Sequence, residues 1–274
     1  MSIDHNPQAA QMGDESMARN LAFQAQAIWP QEQPLFARYG LQGEIRVLDL
    51  GCGTGEITAR LAQLYPQARI VGVDILEGNL AIARRDNGGA GERIAYESGD
   101  AFALRFDAAH FDLVVCRHMS QAVPNFGLVL DEITRVLKPG GWLHLLSEDY
   151  AMLRMPHGTR DPDRFWIDNA LAFLDSIGCD GRIGRHSPAL LAARCYRDIA
   201  ADYVIVDTLR VPREVFAGVL HAWRDGYVEP LAQASGRAPA EVRADFDSMI
   251  ASVETPPHYA VWHVPVISGR SPAP

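Results

Sequence analysis

The stretch Val47-Leu-Asp-Leu-Gly-Cys-Gly-Thr-Gly-Glu-Ile-Thr-Ala-Arg-Leu-Ala-Gln-Leu64 decides the reading of the chain. A short apolar run ends at Leu50. Three glycines follow on alternate positions, Gly51, Gly53 and Gly55. From Glu56 the apolar residues fall at helical spacing. A strand that turns sharply into a helix needs backbone freedom, and residues without Cβ supply it while letting a ligand approach the main chain. Such a loop lies at the carboxyl edge of a parallel strand, where open α/β sheets bind their ligands.

The same strand–helix rhythm extends on both sides. Strands are expected over 45–50, 69–75, 93–100, 111–118, 142–149, 202–211 and 258–268, and helices over 56–65, 77–87, 128–137, 213–231 and 238–253. Gly88-Gly89 is expected to close the second of these helices, and Pro30 to follow a first helix that starts near Ser16. Apolar strands alternating with helices imply right-handed crossovers and a parallel sheet covered on both faces. With 274 residues, 48% of them apolar, one large domain is expected. Within 1–274 the reading assigns a disordered tail (1–15), an N-terminal helical lid (16–40), a ligand-binding half (41–150), a helical insertion or lid (151–200) and the remainder of the sheet (201–274).

The net charge of −9, without a Lys/Arg run, argues against nucleic acid and anionic membrane surfaces as partners. No stretch reaches the roughly 20 apolar residues needed to span a bilayer. Four scattered cysteines and a polar start read as a cytoplasmic protein with reduced thiols. No metal-ligand spacing is apparent, so no metal is expected.

Glycine spacing narrows the ligand. A dinucleotide loop is G-x-G-x-x-G and seats a diphosphate on the helix N-terminus. Here the order is G-x-G-x-G, flanked by Asp49 and Glu56, two acids that would repel a diphosphate. Asp74 ends the second strand, where a carboxylate can accept two ribose hydroxyls. Asp100 follows the third, placed for an adenine amino group. A ribose, an adenine, a cationic part and no diphosphate describe S-adenosylmethionine.

With "VLDLGCGTGE", "VGVDI", "SGDAFAL", "FDLVVCRHMSQAV" and "LKPGGWL" in order over 45–147, the chain resembles the Rossmann-like (class I) S-adenosylmethionine-dependent methyltransferases. Within them it looks most like the small-molecule branch related to ubiquinone and menaquinone biosynthesis enzymes. The resemblance implies a three-layer α/β sandwich with a seven-stranded, mostly parallel sheet, order 3-2-1-4-5-7-6, strand seven antiparallel. It also implies that Asp49, Gly51, Cys52, Gly53 and Gly55 face the methionine part of the cofactor, with Cys116 and Arg117 approaching the same end. Asp74 and Ile75 would hold ribose and adenine, and Asp100, Ala101 and Phe102 the adenine edge. Cys52 and Cys116 read as space-filling thiols rather than reactive ones.

Methyl transfer needs an aligned nucleophile and sometimes a base. His118, past the fourth strand, is the candidate base. Gln121, Glu148 and Tyr150, with Arg19, Gln24, Trp29, Arg154, His157, Phe165 and Trp166 from the two lid segments, are candidate acceptor-pocket residues. The expected product is S-adenosylhomocysteine, the acceptor a small molecule methylated on O, N or C, and the protein a monomer or homodimer. A protein or RNA methyltransferase, or a non-catalytic cofactor-binding protein, remains as an alternative on the same fold.

Overall fold

The computed structural model describes residues 4–87, 93–156 and 160–273. Gly88-Gly89 and His157 lie outside the described residues. Strands β1 (Arg46–Leu50), β2 (Arg69–Asp74), β3 (Ile94–Ser98), β4 (Phe111–Arg117) and β5 (Leu137–Leu146) are parallel in the order β3-β2-β1-β4-β5. The long β8 (Val261–Arg270) pairs antiparallel with β5 on one side and with β7 (Arg197–Asp207) on the other. The expected neighbour order is therefore present, with one addition. A two-residue strand, β6 (Leu153–Arg154), pairs with Trp262 and Val261 beyond the point where β5 ends, making eight strands.

Side-chain alternation along β1 explains the layers. Val47 points into a cluster with Ile57 and Leu61 of α3 (Glu56–Leu64), and with Trp29 of α2 (Glu15–Glu32). Leu48 and Leu50 point the other way, onto Val129, Leu130 and Ile133 of α5 (Phe126–Val136). Helix α4 (Glu77–Asn87) follows β2 and packs Leu80 and Ala83 against Tyr96.

A separate helical layer covers the carboxyl edge of the sheet. It comprises α1 (Ala9–Met12), α2, α6 (Pro162–Phe165), a π-helical turn over Trp166–Leu171, α7 (Ala172–Ser176), α9 (Arg213–Ser235) and α10 (Pro239–Glu254). Helix α8 (Ile183–Ala193) returns the chain toward β7. Helices α2 and α9 approach closely because α9 carries glycine at the contacts. A Cβ at Gly218 would stand 2.6 Å from the Phe23 ring, and one at Gly226 2.8 Å from Ser16 Oγ.

Two expectations about the N-terminus differ from this picture. Residues 4–15, read as part of a loose tail, fold back over the molecule, and Gln8 is buried. Helix α2 runs past Pro30 to Glu32, because its apolar face continues into the core. Ala25, Ala27, Ile28 and Trp29 are all buried there. Fully burying a side chain the size of Ile28 stabilises the fold by about 1.5–3 kcal/mol, more than a single proline-interrupted hydrogen bond need cost in the last turn. The C-terminal half of α2 is thus part of the core. Among the described residues, no helix is long and apolar enough to cross a membrane.

Candidate functional site

The glycine loop has the backbone its sequence demands. Gly51, Gly53 and Gly55 all have positive φ, at 74°, 53° and 82°. The amides of Gly51 and Cys52 both donate to the Val73 carbonyl, at 2.8 and 3.0 Å, which fixes the loop on the end of β2. Asp74 accepts from the Gly53 amide at 2.8 Å and the Leu76 amide at 2.9 Å. Two acceptor positions of this carboxylate are filled by the loop, and a carboxylate has about four. Burial raises the pKa of Asp74, against the lowering effect of these amides.

Two cavities meet beneath the helical layer. The first is lined by Gly51, Gly53, Asp74, Ile75, Asp100, Ala101, Phe102 and Arg117, among others. A smaller recess beside it holds Asp49, Gly51, Cys52, Glu56, Arg117 and His118. The second cavity is lined by Gln24, Gln121, Glu148, Tyr150 and Trp166, together with Asn20, Trp223 and Tyr227. Met12, Leu21, His118 and Ala122 line both large cavities and so mark their junction.

His118 is built for that position. Its φ is 52°, a left-handed backbone that costs a non-glycine residue of order 1–3 kcal/mol. The His118 amide donates to the Leu146 carbonyl at 3.0 Å. Its Nδ1 lies 2.6 Å from Glu148 Oε1. With Glu148 ionised, Nδ1 carries the proton and donates it to that bond. Nε2 is then a lone pair, buried and without a partner. A carboxylate that fixes the tautomer and orientation of an imidazole is the arrangement of a general base.

Electrostatics differ along the recess. Burial pushes the Asp49 carboxyl up to about 6, although Thr58 Oγ1, donating at 2.6 Å, and nearby Arg117 favour its charged form. Arg117 donates from Nε to Glu32 Oε1 at 2.8 Å, and its Nη2 is buried and unpartnered beside the first cavity. Burial alone would raise Glu32. The Arg117 charge and hydrogen bonds from His144 and Arg117 outweigh it and hold Glu32 at about 2. His144 in turn meets Tyr39 Oη at 2.7 Å. The stabilisation from this network is present above the ordinary glutamate value and is lost as pH falls toward 2. Burial raises the thiols of Cys52 and Cys116, so neither is an activated nucleophile.

Several candidate residues stand elsewhere. Trp29 is nine positions from Asn20 on one helix, half a turn away at 100° per residue. It packs against Phe36, with ring centroids 5.7 Å apart. Arg19 points outward to Glu15 and Asp225. Arg154 is exposed and reaches Asp163. Phe165 fills the core against Phe246. Cys116 is fully buried in the cluster under α5, because strand alternation sends Arg117, not its neighbour, to the cavity side. Gly55 meets Tyr96 rather than either cavity, where a Cβ would lie 2.5 Å from Tyr96 Oη.

The sequence reading missed Met12, Asn20, Leu21, Trp223 and Tyr227 on these walls. Asn20 and Gln24, four apart beside apolar Met17 and Leu21, form a polar pair on an otherwise apolar helix face, and that spacing was a usable signal. Tyr227 carries none, since only the tertiary fold brings α9 to the site.

Known proteins share this architecture. Residues 47–141 match the model of a methyltransferase domain family. The demethylmenaquinone methyltransferase of Lactococcus lactis is 33% identical over 165 residues, 60% of this chain and 64% of that protein. The ubiquinone biosynthesis O-methyltransferase of Pseudomonas fluorescens is 32% identical over 197 residues, 63% of this chain and 81% of that protein. Other relatives align over as little as 42% of their own length, so the chain spans only part of several of the proteins it matches. A phosphoethanolamine N-methyltransferase of Haemonchus contortus, solved with S-adenosylmethionine, has the same fold. The match has a TM-score of 0.55 at 18% identity and covers 89% of this chain and 53% of that one. The glycine loop, its two strand-end carboxylates and these sequence matches lead to one conclusion: the chain belongs to the Rossmann-like S-adenosylmethionine-dependent methyltransferases.

Proposed function

We propose that this protein transfers a methyl group from S-adenosylmethionine to a small molecule held in the second cavity. The observation that carries the reading is the meeting of two cavities at His118. One bears the positive-φ glycine loop, Asp74 and Asp100. The other bears a base-oriented imidazole whose Nε2 is unpartnered. The cofactor supplies a methyl carbon already activated by the attached sulfonium. Asp74 would hold the ribose, and Asp100 with Phe102 the adenine. Asp49 would face the cationic methionine end, and the buried Arg117 Nη2 its carboxylate. His118 would take the proton from the acceptor, with Glu148 stabilising the resulting imidazolium. The protein would work as a soluble biosynthetic enzyme.

Calorimetry tests this directly. S-adenosylhomocysteine is expected to bind with micromolar affinity, and NAD to give no heat because Asp49 and Glu56 oppose a diphosphate. Tight NAD binding without S-adenosylhomocysteine binding would overturn the reading.

A pH dependence follows from Asp49. A cationic ligand binds its ionised form, and that form is lost as pH falls through about 6. Affinity for S-adenosylmethionine should therefore drop by roughly tenfold between pH 7 and pH 5, with proton release on binding near pH 6. Asp49→Asn should bind more weakly at pH 7 and show a flat profile over that range. A wild-type profile as flat as the variant's would show that Asp49 does not face the cation.

A further inference from the structure

The second cavity has a distinctive polar inventory. Its walls are mostly aromatic and aliphatic, yet among the described residues five buried hydrogen-bond acceptors on it have no partner: Asn20 Oδ1, Gln24 Oε1, Gln121 Oε1, Glu148 Oε2 and His118 Nε2. The Asn20 amide is oriented by its own Nδ2, which points at Met17 Sδ, 3.2 Å away. One unpartnered donor, Trp166 Nε1, belongs to the same wall. Among the described residues, no lysine or arginine lines the cavity.

Each buried acceptor left unpaired costs free energy, and the ligand that donates to it recovers that cost. An excess of acceptors therefore asks for a ligand rich in O–H or N–H groups. The absence of a cation, with Glu148 present, works against a carboxylate or phosphate, whose charge would be buried beside a like charge. The Trp166 N–H needs a lone pair on the ligand, which a hydroxyl has and an ammonium lacks. Tyr150 and Trp166 stack at 5.8 Å and Trp223 stands edge-on to both, so the aromatic wall is a packed surface suited to a planar face.

We infer that the acceptor is an uncharged molecule with a planar apolar body and at least two hydroxyl groups. One hydroxyl donates to His118 Nε2, and another is read by the Asn20 and Gln24 amides of α2. This rests on the second cavity being the acceptor site. In the reaction, the oxygen lone pair of the first hydroxyl forms the new bond to the methyl carbon. The carbon–sulfur bond breaks with its electrons staying on sulfur, and the hydroxyl proton passes to His118 Nε2.

The test is calorimetry on the intact chain saturated with S-adenosylhomocysteine. The probes are 1,2-dihydroxybenzene, phenol, citrate and phosphoethanolamine. Dihydroxybenzene is expected to bind about tenfold more tightly than phenol, the scale of one or two recovered hydrogen bonds. The two anions should give no heat. Asn20→Leu should shrink the dihydroxybenzene-to-phenol ratio to about two while leaving S-adenosylhomocysteine affinity unchanged. Anions binding as well as dihydroxybenzene, phenol matching it in the wild type, or no probe binding at millimolar concentration would each overturn the inference. Absence of S-adenosylhomocysteine binding would instead remove the methyl-transfer reading beneath it.

Discussion

Replacing His118 with alanine is expected to lower turnover by roughly 10²–10⁴-fold, the usual contribution of a positioned general base. S-adenosylhomocysteine affinity should change far less, because Asp74, Asp100 and the loop amides remain. Glu148→Gln should cost about 10–10²-fold by a different route. The imidazole stays in place but loses the carboxylate that fixes Nδ1 as the protonated nitrogen and stabilises the imidazolium. The two losses should not add, since both act through one lone pair. A purely packing histidine would give another pattern. His118→Ala would then lower the melting temperature and leave turnover on a hydroxylated acceptor nearly unchanged. Rescue separates the two roles. Added imidazole should restore part of the activity of the alanine variant, because the vacated space opens onto both cavities. Full activity in His118→Ala, or its loss with no rescue and a collapsed melting curve, would remove His118 from the chemistry.

How much of this site the sequence revealed depended on how local each feature was. The glycine loop, Asp74 and Asp100 sit at strand ends within one βαβ unit each, so short-range spacing placed them. The alternation of strands and helices set His118 and Glu148 at the ends of neighbouring strands, but the bond between them and the left-handed backbone of His118 had no signal in the sequence. The acceptor wall is different. It is assembled from α2, the π-helical turn and α9, and no local pattern says which face of a lid helix turns inward. Choosing polar and aromatic residues by type took Trp29, Arg19, Arg154 and Phe165, which the structure spends on core packing and surface ion pairs. Helical phase would have been the better guide. On α2 it separates Asn20 and Gln24 from Trp29 without reference to residue type. The buried chain from Arg117 through Glu32 and His144 to Tyr39 had no signature, because its bonded neighbours lie 85 to 112 positions apart and read singly as surface residues. Even the extra β6 strand follows from tertiary context, since only the free edge of β8 gives those two residues a partner.

Deletion of residues 2–13 is expected to leave the fold intact and to reduce turnover by more than about a hundredfold. The described part of this segment bridges the two halves of the site. His5 stacks on Phe102 at 4.0 Å, and its Nδ1 lies 3.0 Å from Asp100 Oδ2. Gln8 donates to the Ala122 carbonyl at 3.3 Å and accepts from Tyr227 Oη at 2.9 Å. Met12 stands at the junction of the cavities. Removing the segment would open both cavities to water at the point where the proton and the methyl group move, and excluding water there is what closing elements contribute. Little of the core depends on it. Asp14, which caps α2 by accepting from the Ser16 amide at 2.9 Å, is retained, as are Ile28, Trp29 and Glu32. Cofactor affinity should fall by less than tenfold, because the loop, Asp49 and Asp74 keep all their contacts and only Asp100 loses its partner His5. A longer deletion, through residue 30, should behave differently and unfold the protein, because it strips Ala25, Ala27, Ile28 and Trp29 from the core. Circular dichroism separates the two truncations, and calorimetry with S-adenosylhomocysteine separates binding from turnover in the shorter one. Turnover within threefold of the intact chain after the shorter deletion would show that the segment only rests on the site. Loss of helical signal in that variant would show that its contacts with Ala122 and Tyr227 hold the helical layer in place.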